Sequence, residues 1–148
     1  MKYSDKDKLN LRTLIGLSRN TSLVHRRSAR IFREGGLSLM QFAVLEALYH
    51  KGSLSIKEIL ESLLATGGNV TLVVRNLEKL GMVECALLPE DRRVRMVSIT
   101  KKGREKIEEI FPLHLKDLDE HFKILSDEEK EILIALLKKL GRVEKKKE

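Results

Sequence analysis

The feature that most constrains this chain is residues 66–103, where a helix pattern is followed at once by a hairpin pattern. The stretch begins with a small-residue segment, residues 66–71, and a helix, residues 72–80. Two strands follow, residues 82–88 and 94–99, and residues 100–103 start a further helix. Gly81 ends the helix, and an arginine-rich tip, residues 89–93, joins the strands. Such a helix fits a DNA major groove while the tip reaches the neighbouring minor groove. This order predicts a winged helix.

Three further helices are predicted before residue 66. Apolar residues at three- and four-residue spacing indicate a first helix over about residues 9–33, ended by two glycines. Ser38 with Gln41, and Ser55 with Glu58, have the spacing of a capping box, in which two side chains satisfy backbone N–H groups reciprocally. They predict where the second and third helices begin.

Two helices are predicted after the hairpin. Apolar periodicity indicates a long helix over about residues 101–124, and Pro112 inside it should produce a kink because proline lacks a backbone donor. Ser126 with Glu129 repeats the capping signature before a last helix over residues 127–140. The predicted fold is mainly α with a small β-wing.

The order of these elements predicts one domain over residues 1–148. A winged-helix core, residues 37–100, is flanked by terminal helices within residues 9–33 and 101–141, and residues 142–148 form a charged tail. The terminal helices have apolar stripes without an obvious partner in the core, and a helix needs tertiary burial to be stable in water. We expect them to pack together and against a second copy, as a two-fold homodimer.

The composition limits the functional class. With 29 Lys and Arg against 22 Asp and Glu, the net charge is +7, which favours a polyanionic partner but is also common in thermostable proteins. The single Cys85 suits a reducing compartment. No signal peptide and no apolar run of about 20 residues is evident, so we expect a cytoplasmic protein without membrane contact. No phosphate loop or nucleophile–base group is evident, which argues against an enzyme and against a cofactor.

Four stretches that follow one another along the chain resemble a known family. They are residues 37–45, 67–71, 76–81 and 91–103. The most specific positions lie in the wing and the turn after it: Asp91, Arg93, Val97, Ile99, Thr100 and Gly103. Over about residues 9–141 the chain resembles the multiple antibiotic resistance regulator (MarR) family.

The resemblance implies a homodimeric transcriptional regulator, usually a repressor, with a winged helix–turn–helix in each subunit. It also implies dimerisation through the terminal helices and a palindromic double-stranded DNA operator. A crevice between the dimer and DNA-binding regions would take a small effector, for which phenolic or other apolar anionic molecules are candidates. The residues that would bind such an effector stay unknown from the sequence.

The candidate DNA contacts of the recognition helix lie near its start and on one face: Gly68, Asn69, Thr71, Leu72, Arg75 and Asn76. Gly68 permits close backbone approach, and arginine and asparagine pair bidentately with guanine and adenine. The alternative is that these side chains are only solvated, opposite a buried face made by Val70, Val73, Val74, Leu77 and Leu80.

The wing supplies four further candidates. Asp91 is expected to organise the turn, and Arg93 to insert into the minor groove, where arginine senses groove width. Arg92 and Arg95 are expected on phosphates, which position the protein without specifying sequence. An exposed hairpin with solvated charges is the alternative.

Other polar residues have two interpretations each. Ser55 is first a helix cap and could also donate to a phosphate, and Lys57 is either an electrostatic contact or an ordinary exposed lysine. Cys85 alternates with apolar residues on a strand, which favours a buried or half-buried structural cysteine over a redox sensor. The remaining group shares one side of a helix and is expected at the helix surface or a dimer interface rather than on a metal: His114, Asp117 and His121.

Two functions from different classes stay open at this point. One is a sequence-specific dimeric repressor released by an effector. The other is a winged-helix module that binds proteins, or binds DNA without sequence preference, and does not respond to a ligand. A steep salt dependence and strong preference for one palindromic site would distinguish the first.

Overall fold

The computed structural model describes residues 2–63, 70–88 and 94–141, and every structural statement below concerns these residues. Six helices and three strands occur in them, in the order α1 Asp5–Glu34, α2 Leu39–Lys51, β1 Leu54–Ser55, α3 Ile56–Leu63, α4 Val70–Lys79, β2 Val83–Leu87, β3 Arg95–Ile99, α5 Lys101–Phe122 and α6 Asp127–Gly141. The prediction of a mainly α fold with a small β-wing is confirmed. Within the described ranges, no helix combines the length and the apolar character needed to cross a membrane.

The three capping boxes lie where the sequence predicts them. Gln41 and Ser38 bond reciprocally, with the Gln41 backbone N–H donating to the Ser38 hydroxyl over 3.2 Å and the Ser38 N–H to the Gln41 side chain over 2.8 Å. Ser55 with Glu58, and Ser126 with Glu129, make the same pairs. Each box satisfies N–H groups that a helix start leaves without an intrahelical acceptor, which is why α2, α3 and α6 begin there.

The first helix begins earlier than predicted. A fourth box, in which the Asp7 N–H donates to the Ser4 hydroxyl over 3.1 Å and the Ser4 N–H to the Asp7 carboxylate over 3.0 Å, starts α1 at Asp5. The apolar stripe becomes regular only later along the helix, so periodicity alone placed the start near residue 9. At the other end, Gly35 caps α1 and Gly36 has a φ of +81°, in agreement with the predicted stop.

The sheet is antiparallel and has three strands in the order β1-β3-β2. The hairpin β2–β3 confirms the prediction, and Val97 lies between Leu54 on β1 and Cys85 on β2. Strand β1 was not predicted, because two residues are too few to display the alternating pattern of a strand. Its pairing joins the start of α3 to the wing, since Ser55 is both the last residue of β1 and the cap of α3.

Chain contacts divide the protein into two compact units, Met1–Leu115 and Lys116–Glu148. The first unit contains the apolar core, whose fully buried members come from α2, α3, α4, β3 and α5: Phe42, Val44, Leu45, Leu48, Ile59, Val70, Leu77, Val97, Ile107 and Ile110. Burial of this many apolar side chains is the main favourable contribution to folding. In the second unit, none of the α6 residues is buried.

Helix α5 continues through Pro112 from Lys101 to Phe122. Proline is tolerated in the first turn of a helix, where the backbone N–H groups have no intrahelical acceptor. Pro112 lies eleven residues after Lys101, so the hydrogen bond that a backbone N–H would donate at this position is missing. The predicted kink remains a prediction.

Candidate nucleic-acid interface

Helix α4 has one buried and one exposed face. Val70, Val73, Val74 and Leu77 are buried, while the exposed positions are Thr71, Leu72, Arg75, Asn76 and Lys79. This separation follows from the 3.6-residue period, and it confirms the inward packing predicted for these four apolar residues. Leu80 departs from the prediction, because 43% of it is exposed. Helix α4 ends at Lys79, so Leu80 lies in the turn and no longer follows the helical period.

The C-terminal end of α4 is held by the first turn of α5. The Thr100 hydroxyl donates to the Gly81 carbonyl oxygen and the Lys102 Nζ donates to the Leu80 carbonyl oxygen, both over 2.7 Å. The Gly103 N–H in turn donates to the Thr100 hydroxyl over 3.2 Å. These bonds satisfy carbonyls that a helix end leaves without a partner and fix the orientation of α4 relative to α5.

Arg95 is placed beside α4 by the hairpin. Its Nη2 donates to both carboxylate oxygens of Glu78, over 3.3 and 3.4 Å, and its side chain is 53% exposed. The pair joins the wing to α4, although an ion pair this exposed contributes at most about 1 kcal/mol to stability. The sequence predicts Arg95 as a phosphate contact but does not reveal its partner Glu78, since the two residues are brought together only by the fold.

Cys85 lies next to this ion pair. It is half-buried, which agrees with the structural interpretation made from the sequence. Burial raises the pKa of the Cys85 thiol, the Glu78 carboxylate raises it further, and Arg95 opposes both effects. Because a raised pKa lowers the thiolate fraction at neutral pH, this position is poorly suited to a redox-sensing cysteine.

Ser55 and Lys57 lie at the start of α3. The Ser55 hydroxyl accepts from the Glu58 N–H over 3.2 Å and donates to the Glu58 carboxylate over 2.8 Å. Two hydrogen bonds hold the pKa of the Glu58 carboxyl group below its usual value. The bond from the Ser55 backbone N–H has the larger effect, and the bond from the Ser55 hydroxyl has the smaller one. Lys57 is exposed, with its Nζ 4.0 Å from the Glu61 carboxylate. The structure therefore gives Ser55 a complete capping role and leaves Lys57 at the surface.

Five of the predicted contact residues lie outside the described part of the chain: Gly68, Asn69, Asp91, Arg92 and Arg93. The described ends of the hairpin are joined by a bond from the Leu88 N–H to the Val94 carbonyl oxygen over 2.9 Å. The candidate interface is therefore built here from α3, α4, β2 and β3.

His114 belongs to an aromatic cluster of α1, α2 and α5. His114 packs edge-on against Phe32 and Phe42, with ring centroids 4.9 and 5.7 Å apart, and it is half-buried in the single chain. The stacked pair Phe32 and Phe42 forms the centre of this aromatic cluster. Across residues 2–63, 70–88 and 94–141, no three His, Cys, Asp or Glu side chains converge as a metal site would require.

The two roles considered for Ser55 can be separated by mutation. Ser55→Ala is expected to lower the free energy of unfolding by about 1 kcal/mol, because it removes a helix cap. Ser38→Ala, which removes the equivalent cap of α2, is the matched control. Chemical denaturation gives the stabilities, and a gel shift gives the DNA affinities. Unchanged stability would contradict the capping role. A loss of DNA affinity in Ser55→Ala but not in Ser38→Ala would indicate that Ser55 also contacts a phosphate.

Comparison with known proteins agrees with this geometry. The family model described as "MarR family" matches residues 35–94, which extend from the end of α1 to the wing. The transcriptional regulator MhqR of Bacillus subtilis is 36% identical over 132 residues, covering 89% of this chain and 91% of the relative.

Two solved structures are similar over most of their length. One is Bordetella bronchiseptica BpsR, whose DNA binding is regulated by 6-hydroxynicotinic acid; the TM-score is 0.71 at 25% identity, over 85% of this chain and 98% of that one. The other is Sco3205 of Streptomyces coelicolor, a MarR family regulator in complex with DNA; the TM-score is 0.83 at 20% identity, over 95% of this chain and 89% of that one. The second likeness shows the fold, and the identity to MhqR shows the relationship: this chain belongs to the MarR family of helix–turn–helix transcriptional regulators.

Proposed function

We propose that this protein is a homodimeric repressor that acts in the cytoplasm, binds a palindromic operator through α4 and the wing, and is released by a small effector. The observation that carries the proposal is the exposed face of α4, where Thr71, Arg75 and Asn76 lie together on a helix whose opposite face is buried. Such side chains can pair with base edges in a major groove, while Arg92, Arg93 and Arg95 of the wing reach the backbone and minor groove.

Exposed apolar residues on the terminal helices support the homodimer. In α6 they are Ile132, Leu133, Ile134, Leu136, Leu137 and Leu140, and in α1 they include Leu9, Leu11, Leu14, Ile15 and Leu23. A helix with so much apolar surface in water is unstable alone, and a second copy offers the same surface by symmetry. Two recognition helices about 34 Å apart would then read successive major-groove turns.

A hollow at the junction of α1 and α2 supports an effector. It has a volume of about 420 Å³ and is lined by Ala29, Arg33, Gly36, Leu37, Ser38 and Leu39. The hollow is open to solvent on one side, and the exposed Arg33 guanidinium would favour an anionic ligand there. For BpsR, 6-hydroxynicotinic acid regulates DNA binding. An effector of this chain would act by binding more tightly to a dimer whose recognition helices are wrongly spaced for DNA.

The test is selection of bound DNA from a random pool, followed by affinity measurements at several salt concentrations. We expect one palindromic sequence to be enriched and bound far more tightly than random DNA, with a steep loss of affinity as salt increases. Phenolic and other apolar anionic compounds are then added to the complex. Equal affinity for all sequences would reject the repressor in favour of a non-specific DNA-binding or protein-interaction module.

The wing can be tested at Arg93. We expect Arg93→Ala to weaken operator binding by about 1–3 kcal/mol at fixed salt, because an arginine contact to DNA is lost. Lys8→Ala is the control, since it removes the same charge from the first turn of α1, where Lys8 pairs with Asp5. Gel shifts under identical conditions give both affinities. Equal losses in the two variants would mean that Arg93 acts only through net charge.

A further inference from the structure

Leu72 is an apolar side chain on the exposed face of α4. Among the described residues Val70–Lys79, five positions are exposed and Leu72 is the apolar one; the others are Thr71, Arg75, Asn76 and Lys79. Half of the leucine surface is accessible. The helical period places Leu72 outside the inward positions of α4, which are occupied by Val70, Val73 and Val74.

The position of Leu72 on α4 suits contact with a base. Leu72 lies three residues before Arg75 and four before Asn76, so the three side chains are neighbours on one face, about 5–6 Å apart at Cβ. Helical side chains lean toward the N-terminus, so Leu72 covers the surface over the first turn. In helix–turn–helix proteins, the N-terminal part of the recognition helix is the part that contacts base edges.

The charges around Leu72 favour DNA over a second copy of the same helix face. Arg75 and Lys79 are exposed on the same face, and the nearest carboxylate of α4, Glu78, is bonded to Arg95. Packing this face against a second copy of itself would bring like charges together, whereas DNA neutralises them. Among the groups that a major groove presents, the C5-methyl of thymine is the apolar one.

We propose that Leu72 is a specificity-determining residue whose side chain packs on the C5-methyl group of one thymine in each operator half-site. The inference rests on the proposed function and deepens it, because it names a base pair that the operator must contain. A leucine can neither donate to a phosphate nor accept from a base, so its contribution to DNA binding is burial against this methyl group. Arg75 and Asn76 supply the polar contacts on either side of it.

The test removes the methyl group alone. In the operator obtained by selection, each symmetric pair of thymines is replaced by deoxyuridine, which keeps Watson–Crick pairing. For the wild-type protein we expect one pair of replacements to weaken binding by roughly fifteen-fold, corresponding to about four-fold for each methyl group. Leu72→Ala should bind the thymine operator more weakly and should no longer distinguish thymine from deoxyuridine at that pair.

Leu80→Ala is the matched control. Leu80 is also a partly exposed leucine, placed just beyond the end of α4, and this variant should keep the wild-type preference for thymine. Circular dichroism of both variants checks that they fold, which their exposure leads us to expect.

Three outcomes would overturn the inference. Wild-type protein that binds every deoxyuridine operator as tightly as the thymine operator would reject it while leaving a sequence-specific regulator in place. A thymine preference that persists in Leu72→Ala would assign the methyl contact to another residue. Failure to enrich any sequence from the random pool would reject the proposed function, and the role of Leu72 with it.

Discussion

Glutamates at two α6 positions, Leu133→Glu with Leu137→Glu, are expected to convert the protein to monomers and to reduce operator affinity by about 10²-fold or more. The two leucines are four residues apart and therefore share one face of α6, and both are exposed in the single chain. A dimer would bury them, and burying unpaired carboxylates is costly enough to prevent assembly. A monomer engages one half-site at a time, so the gain from linking two recognition helices is lost.

The control keeps the change in charge and moves it to another face. Lys138→Gln with Lys139→Gln also lowers the charge by two per subunit, on exposed positions of α6 away from the leucines. This variant should remain dimeric by sedimentation and should bind the operator at a fixed salt concentration nearly as the wild type does. A wild-type protein that sediments as a monomer at micromolar concentration would reject the homodimer itself.

The helices and the hairpin could be predicted because their signals are local. A capping box places two partners three residues apart, so Ser38, Ser55 and Ser126 reveal the starts of α2, α3 and α6. The inward face of α4 follows from apolar residues at helical spacing in the same ten residues. In each case the residues that decide the structure lie within one or two turns of each other.

Features that depend on distant residues could not be predicted. Strand β1 exists because Leu54 pairs with Val97, and two residues carry no strand pattern of their own. Glu78 and Arg95 are seventeen residues apart, and Lys102 reaches the Leu80 carbonyl oxygen across twenty-two. Thr100 and Lys102 were recognised as the start of a helix, but their function of holding the end of α4 appears only when the hairpin brings them back.

The candidate site, too, could be predicted only where the signals are local. Arg75 and Asn76 were identified because their exposure follows from the period of α4, and the fold confirms that exposure. Arg95 was identified by its charge alone, while its orientation depends on Glu78. The residues that line the hollow beside Arg33 are close together in sequence, but the hollow exists only once the turn between α1 and α2 has folded, so it could not be identified from the sequence.

Gly103→Val is expected to destabilise the protein by about 3 kcal/mol, because overpacking at a site that cannot yield is costly. Gly103 is buried in the first turn of α5, and a Cβ atom there would overlap the backbone carbonyl oxygen of Met82 and the side chain of Ile99. A flexible side chain could turn aside, but the Met82 carbonyl accepts from the Thr100 N–H and is fixed between α4 and the sheet. Helix α5 must therefore move away from the end of α4.

The matched control is Glu105→Val, which places the same side chain on the same helix at an exposed position. Glu105 pairs only loosely with Lys101, over 3.8 Å, so this variant should lose about 1 kcal/mol or less. Chemical denaturation measures both. Gly103→Val should also bind the operator more weakly at temperatures where it is still folded, because Thr100 and Lys102 can no longer hold the C-terminal end of α4. Wild-type stability in Gly103→Val would mean that α5 is not packed tightly against this turn.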